Sequence, residues 1–155
     1  MMDKRMKKLE VAAKEIPVEQ KIWVHGDAKA DIGVLTWGTC KGAVRDALDT
    51  LREEGIKIKM VEARLMWPLP ADEIEAQLGE CKVLVAIEQN YSAQFAGLVT
   101  QYAGLQWDHE IVKYNGRPMS YNELLDALRG IAKAPPANAV KGRKATNRVV
   151  LTHGH

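Results

Sequence analysis

Apolar positions recur at two different periods along this chain, and the alternation between the two lays out its elements. Residues 32–37 (Ile-Gly-Val-Leu-Thr-Trp) are a short apolar run that predicts a strand. Behind Gly38, the positions Ala43, Val44, Ala47, Leu48 and Leu51 share one helical face, and the pattern stops at Gly55. Residues 56–62 alternate apolar and polar and predict a second strand. A proline-bracketed loop, Leu65 to Pro70, then feeds a short acidic helix over 71–78 that Gly79 ends. Residues 82–87 are apolar on both faces, as a buried parallel strand at the centre of a sheet would be. Ser92 is placed to cap a helix over 93–103, and a fourth strand, 110–114, stops at the turn Asn115-Gly116-Arg117-Pro118. Ser120 and Glu123 form a capping box ahead of a last helix with Leu124, Leu125, Leu128 and Ile131 inside.

Strands alternating with helices imply right-handed crossovers. The fold class expected is α/β: a doubly wound, mostly parallel sheet of four to five strands with helices on both faces, plus an N-terminal helix. That helix, residues 2–16, carries Met2, Met6, Leu9, Ala13 and Ile16 as a narrow stripe and ends at Pro17. Such a stripe cannot hold a lone helix in water, which predicts packing on a neighbouring domain or subunit. Residues 17–30 read as a linker, so the organisation expected is 1–30 helix and linker, 31–132 α/β domain, and 133–155 a basic, flexible tail. Within that tail only Arg148 to Thr152 has the pattern to add an edge strand.

Composition narrows the function classes. With 155 residues, 46% hydrophobic and 27% charged, the chain is one domain able to bury its own core. Five of its 22 Lys and Arg (Lys133, Lys141, Arg143, Lys144, Arg148) lie beyond Gly130, where no acidic residue occurs, so the body carries 17 against 20 Asp and Glu. A nucleic-acid face needs a clustered basic surface, which that body lacks. No apolar run is long enough to span a membrane, and the start Met-Met-Asp-Lys-Arg has no signal-peptide core, so the place expected is the cytoplasm. Cys40 and Cys81 suggest neither a disulfide framework nor a metal knuckle, and the four histidines show metal spacing only at His153-x-His155.

Ligands of open α/β sheets gather at the carboxyl ends of the strands, so Trp37 to Lys41, Glu62 to Pro70 and Glu88 to Gln94 should converge. Gly38-Thr39-Cys40-Lys41-Gly42 opens a helix, either as an anion cradle or as a tight turn for close packing. Cys40 sits where a thiol can become reactive, with no base nearby in sequence, and a bystander thiol is the plainer account. The polar cluster Glu88, Gln89, Asn90, Tyr91, Ser92 and Gln94 must be satisfied by its own helix and loop or by a partner or cofactor. Arg64 can pair with Glu88 if their strands are adjacent, or serve an interface. Trp67, in its rigid loop, either anchors an interface or packs that loop.

Four segments in this order, Thr36-Trp37-Gly38-Thr39, Arg64-Leu-Met-Trp-Pro-Leu-Pro70, Glu88-Gln-Asn-Tyr-Ser-Ala-Gln94 and Lys113-Tyr-Asn-Gly-Arg-Pro118, resemble the C-terminal domain of the alpha subunit of 2-oxoacid:ferredoxin oxidoreductases. The likeness spans roughly residues 4–131, the first helix resembles that domain's linker, and the 2-oxoglutarate type is the nearest flavour. The resemblance implies a transketolase C-terminal-like fold within an enzyme that decarboxylates a 2-oxo acid with thiamine diphosphate and magnesium, passes the acyl group to coenzyme A and sends electrons through iron-sulfur clusters to ferredoxin.

It also implies that this chain is not active alone. A cluster needs about four cysteine ligands and two exist, and Gly26-Asp27 is followed by Ala28 where family members use Gly-Asp-Gly for magnesium and diphosphate. The upstream pyrimidine-side domain is absent, so the chain reads as a detached piece, either separately encoded or excised. No catalytic residue, cofactor or metal ligand is expected on it. Interface or anion-site candidates are Trp37, Gly38, Thr39, Arg64, Trp67, Pro68, Glu88, Asn90 and Gln94, and the expected partners are the remaining alpha-subunit domains and the beta subunit, with ferredoxin reached through the complex. The reading is therefore an assembly domain. A free-standing module for a small anion or nucleotide is the alternative, and an independent enzyme using Cys40 is a third.

Overall fold

A computed structural model describes residues 2–134 and 146–152. The elements are α1 (Met2–Glu15), α2 (Val18–Lys21), β1 (Ile22–Gly26), β2 (Ile32–Trp37), a 3-10 turn Gly38–Cys40, α3 (Lys41–Glu53), β3 (Ile58–Ala63), α4 (Ala71–Leu78), β4 (Val83–Glu88), α5 (Gln94–Ala103), β5 (His109–Val112), α6 (Tyr121–Lys133) and β6 (Asn147–Val150). The strands form one sheet in the order β1-β3-β2-β4-β5-β6, parallel throughout except for β1 against β3. Strand β2 lies between β3 and β4, so the chain winds outward from it in both directions.

The sheet is doubly wound because its strands are apolar on both faces and each face has helices to cover it. On one side α3 and α6 bury Val44, Leu48, Leu51, Leu124 and Leu128 against Val34, Met60, Val85 and Ile111. On the other, α4 and α5 bury Ile74, Leu78, Phe95 and Val99 against Leu35, Val61, Leu84 and Val112. Gly33 permits the closest approach on that second side: a Cβ there would stand 2.9 Å from both Cys81 Sγ and Leu78 Cδ2. The capping box of α6 forms as read, with Ser120 Oγ accepting from the Glu123 amide and the Glu123 carboxylate accepting from the Ser120 amide. Wholly buried Lys113 donates to the same carboxylate at 2.7 Å, tying β5 to that helix start.

Two boundaries differ from the sequence reading. Residues 17–30 are not simply a linker, since Ile22–Gly26 forms β1 on the outer edge of β3, in register from Ile22↔Ala63 to Gly26↔Lys59. Gly26 ends it at φ +112, where a Cβ would meet the Ile58 carbonyl oxygen at 2.4 Å, and Asp27 Oδ2 accepts from the Ile58 amide. Nor is 133–155 wholly a tail. Lys133 closes α6, and Asn147–Val150 adds β6 to the open edge of β5, because Val149 and Leu151 find apolar cover there and Arg148 pairs with Glu110. Six strands result instead of four to five. The flexibility expected of the tail falls on residues 135–145 and 153–155, outside the described residues.

Of the stripe read from the sequence in helix α1, Leu9, Ala13 and Ile16 are partly covered and Met6 is not. Ala12 is also half-buried, while Met6 and Val11 remain about half exposed. Among the described residues no helix is long and apolar enough to cross a membrane.

Candidate functional site: the carboxyl edge of the sheet

The doubly wound order places the switch point between β2 and β4, the crevice where such sheets hold ligands. The residues at both strand ends close it. Glu88, the last residue of β4, is 1% exposed, and its carboxylate accepts four hydrogen bonds: Trp37 Nε1 at 3.1 Å, Asn90 Nδ2 at 2.7 Å, and the amides of Phe95 at 3.0 Å and Ala96 at 2.6 Å. A buried carboxylate is tolerable only with such partners, and the start of a helix supplies both free amides and a favourable dipole. Glu88 therefore caps α5 from seven residues back. Ser92 does not cap it as expected: Ala93, at φ 50, turns the chain into the helix and no side chain caps from that position.

Beside Glu88 a second set of contacts bridges the crevice. Thr39 Oγ1 donates to Gln89 Oε1 at 3.2 Å, the Cys40 thiol faces the same oxygen at 3.9 Å, and Gln89 Nε2 donates to the Arg117 carbonyl at 2.9 Å. Trp37 also stands against Phe95, ring centroids 6.4 Å apart. Thus Trp37, Gly38, Thr39, Glu88 and Asn90 are brought together, with Gln94 joining through its amide to Asn90 Oδ1 at 3.3 Å. Burial pushes the Cys40 thiol above its ordinary value, a rise the neighbouring Glu88 charge adds to and the Gln89 contact opposes. A thiol held protonated in this way is a poor nucleophile, which counts against the reading of Cys40 as a catalytic residue.

Arg64 does not join this group. Strand β2 separates β3 from β4, so Arg64 cannot reach Glu88; it donates from Nε to Glu62 Oε2 at 3.2 Å and from Nη1 to the Glu19 carbonyl at 3.1 Å. Lys41 Nζ holds the other Glu62 oxygen at 3.1 Å, and both cations stand 5.8 Å from the centre of the Trp23 ring. Sequence reasoning missed Trp23 because β1 lay in the stretch read as linker. Its signal was an aromatic residue between Ile22 and Val24. The Trp67 loop divides: Met66 and Leu69 pack on the core, whereas Trp67 is 47% exposed and meets Tyr102 edge-on, centroids 5.5 Å apart, and Pro68 follows it through a cis peptide.

Among the described residues no three of His, Cys, Asp and Glu stand together as a metal would need. Asp27, at the position where the resemblance would place a magnesium ligand, has its carboxylate committed to the Ile58 amide and to Arg52 at 3.4 Å.

Fold and site together define a doubly wound α/β domain whose switch point is closed by its own side chains. The chain belongs to the pyruvate:ferredoxin oxidoreductase core domain II family, whose pattern matches residues 30–124. It is 34% identical over 154 residues to the 2-oxoacid:ferredoxin oxidoreductase subunit alpha of Saccharolobus solfataricus, a match covering 99% of this chain and 23% of that protein. With pyruvate synthase subunit PorA of Pyrococcus furiosus it shares 31% identity over 124 residues, 74% of this chain and 31% of that protein. A solved 2-oxoglutarate:ferredoxin oxidoreductase from Magnetococcus marinus, with 2-oxoglutarate, coenzyme A and succinyl-CoA bound, superposes at TM-score 0.77 and 25% identity, covering 85% of this chain and 23% of that one. The alpha chain of a probable 2-oxoacid ferredoxin oxidoreductase from Thermoplasma acidophilum matches at TM-score 0.52 and 32% identity, over 74% of this chain and 99% of that one. The chain thus spans about a quarter of the alpha subunits it matches from end to end. The resemblance read from the four motifs is to this family.

Proposed function

We propose that the chain is a non-catalytic assembly domain of a 2-oxoacid:ferredoxin oxidoreductase alpha subunit, in an enzyme that oxidatively decarboxylates a 2-oxo acid, 2-oxoglutarate by the nearest flavour, to an acyl-CoA. The observation that carries this reading is the closed switch point: the four donors on Glu88 and the Thr39–Gln89 bridge occupy the place where a substrate would sit. A residue network that satisfies itself gives rigidity and shape rather than reactivity. Thiamine diphosphate, magnesium, the iron-sulfur cluster and coenzyme A then belong to the rest of the enzyme. The residues here do not fit a magnesium ion at Asp27 or a cluster, since Asp27 is committed and two cysteines are half of what a cluster takes. The partners proposed are the remaining alpha-subunit domains and the beta subunit, with ferredoxin acting through the complex.

Purifying the tagged chain from its source cells and identifying what withstands a salt wash tests this. The outcome expected is recovery of oxidoreductase subunits carrying thiamine diphosphate and iron-sulfur clusters. A folded, monomeric chain that retains none of them overturns the proposal. The free-standing anion or nucleotide module would then be the reading to screen, through ligand-dependent melting.

A further inference from the structure

One charged cluster lies outside the closed switch point. The Glu62 side chain, 8% exposed, is gripped by two cations on two different oxygens, Lys41 on Oε1 and Arg64 on Oε2. Trp23 stands directly opposite Glu62 in the β1–β3 register and gives its ring to both cations. One carboxylate cannot neutralise two cations, so the trio keeps a net charge of +1. Both cations also keep donors to spare: their side chains are 41% and 40% exposed. Among the described residues Lys41 Nζ has no ion-pair or hydrogen-bond partner besides Glu62, while Arg64 commits Nε and Nη1 and leaves Nη2 unused. A single cation would satisfy Glu62. The second is surplus to the fold, and both are fixed in place by the indole and the buried carboxylate, so little side-chain entropy remains to be lost on binding an anion.

We infer that Lys41 and Arg64 form a fixed two-cation clasp, on the α3 face of the β1–β3 pair, for an aspartate or glutamate carboxylate presented by the oxidoreductase subunit that packs on this domain. The charge decides the chemistry: a net +1 matches one carboxylate, whereas a doubly charged phosphate would leave the cluster with a net charge of −1. This rests on the assembly reading above and names the contact through which assembly takes place.

The test measures the Kd of the full chain for the oxidoreductase subunit recovered in the affinity experiment, at low and high salt, with thermal melting as a check on folding. Lys41→Gln and Arg64→Gln are each expected to weaken association roughly tenfold and to flatten its salt dependence, as the loss of a charge contact at an interface does. Glu62→Gln is expected to do the opposite. It removes the internal competitor, leaves both cations facing the incoming carboxylate, and should tighten association several-fold with a steeper salt dependence. A merely structural salt bridge would move all three variants in the same direction, so uniform weakening overturns the inference, as does association unchanged in all three. If the wild-type chain retains no subunit at all, the assembly reading itself falls and takes the clasp with it. If it retains one that the variants leave undisturbed, only the clasp falls.

Discussion

At the scale of single residues, Glu88 shows how much of this edge depends on one carboxylate. Its oxygens accept two backbone amides and two side-chain donors in a space closed to water. Glu88→Gln keeps the size but puts an amide NH2 either where Oε1 accepts from Ala96 or where Oε2 accepts from Trp37, Asn90 and Phe95, leaving buried N–H groups without an acceptor. That change is expected to cost roughly 2–4 kcal/mol, since loss of a buried, hydrogen-bonded charge is among the larger single-residue effects. Denaturant unfolding of the variant measures it. A loss under about 1 kcal/mol, the scale of one ordinary hydrogen bond, would show that the network rearranges around the amide. The importance of Glu88 was legible in the sequence as a polar cluster after an apolar strand. Its particular task was not, because the groups it satisfies, Trp37 and the amides of Phe95 and Ala96, are assembled by folding. Arg64 shows the converse, a good guess about charge defeated by strand order.

Among elements, legibility followed locality. Helices α3, α4 and α6 and strands β2 and β4 were read from periods and caps held within their own residues, and α6 carries its capping box as Ser120 and Glu123. Strands β1 and β6 are edges; nothing in Ile22–Gly26 alone says that a neighbour's free edge awaits it, whereas the edge strand that the sequence offers at Arg148 to Thr152 forms as Asn147–Val150. The seam of β6 contains a titratable group with consequences. His109 pairs in register with Asn147, whose amide faces Nδ1 at 3.5 Å, while Nε2 is buried with no hydrogen-bond partner among the described residues. Burial pushes the His109 pKa below its ordinary value, against a smaller pull upward from Asp108. The unfolded chain therefore takes up this proton first as pH falls, and by linkage stability drops from about pH 6.5 downward until the folded histidine titrates as well. Above that window the group contributes no pH dependence. The melting temperature is expected to fall between neutral pH and about pH 5, and His109→Gln, which cannot titrate, should remove a large part of that fall. Thermal melts of both proteins across this range check it, and equal pH dependence in the two would place the titration elsewhere.

For the whole molecule the question is whether two cores on opposite faces of one sheet behave as one cooperative unit. Leu48 on α3 and Leu78 on α4 are both wholly buried, one in each core, and the four central strands β3, β2, β4 and β5 each serve both cores: β2 gives Val34 to the first and Leu35 to the second. Because successive residues of a strand face opposite ways, none of these four strands can leave one core without leaving the other. Leu48→Ala and Leu78→Ala should each cost about 2–5 kcal/mol, the range for large cavities in a close-packed interior, and should lower one shared transition rather than split it. With the sheet between them the two sites share no partner in either core, so the double variant is expected to lose close to the sum. Denaturant unfolding followed by tryptophan fluorescence and by circular dichroism is the measurement. Trp107 reports the α4–α5 face and partly buried Trp23 the α3–α6 face, so a fluorescence transition displaced from the circular dichroism one would show the faces parting. Coincident curves would mean that the Glu88 network and the Lys41–Glu62–Arg64 clasp, set on strands of one indivisible sheet, keep their geometry for as long as the domain is folded at all. A rigid docking surface requires that property, and a sheet covered on both faces provides it.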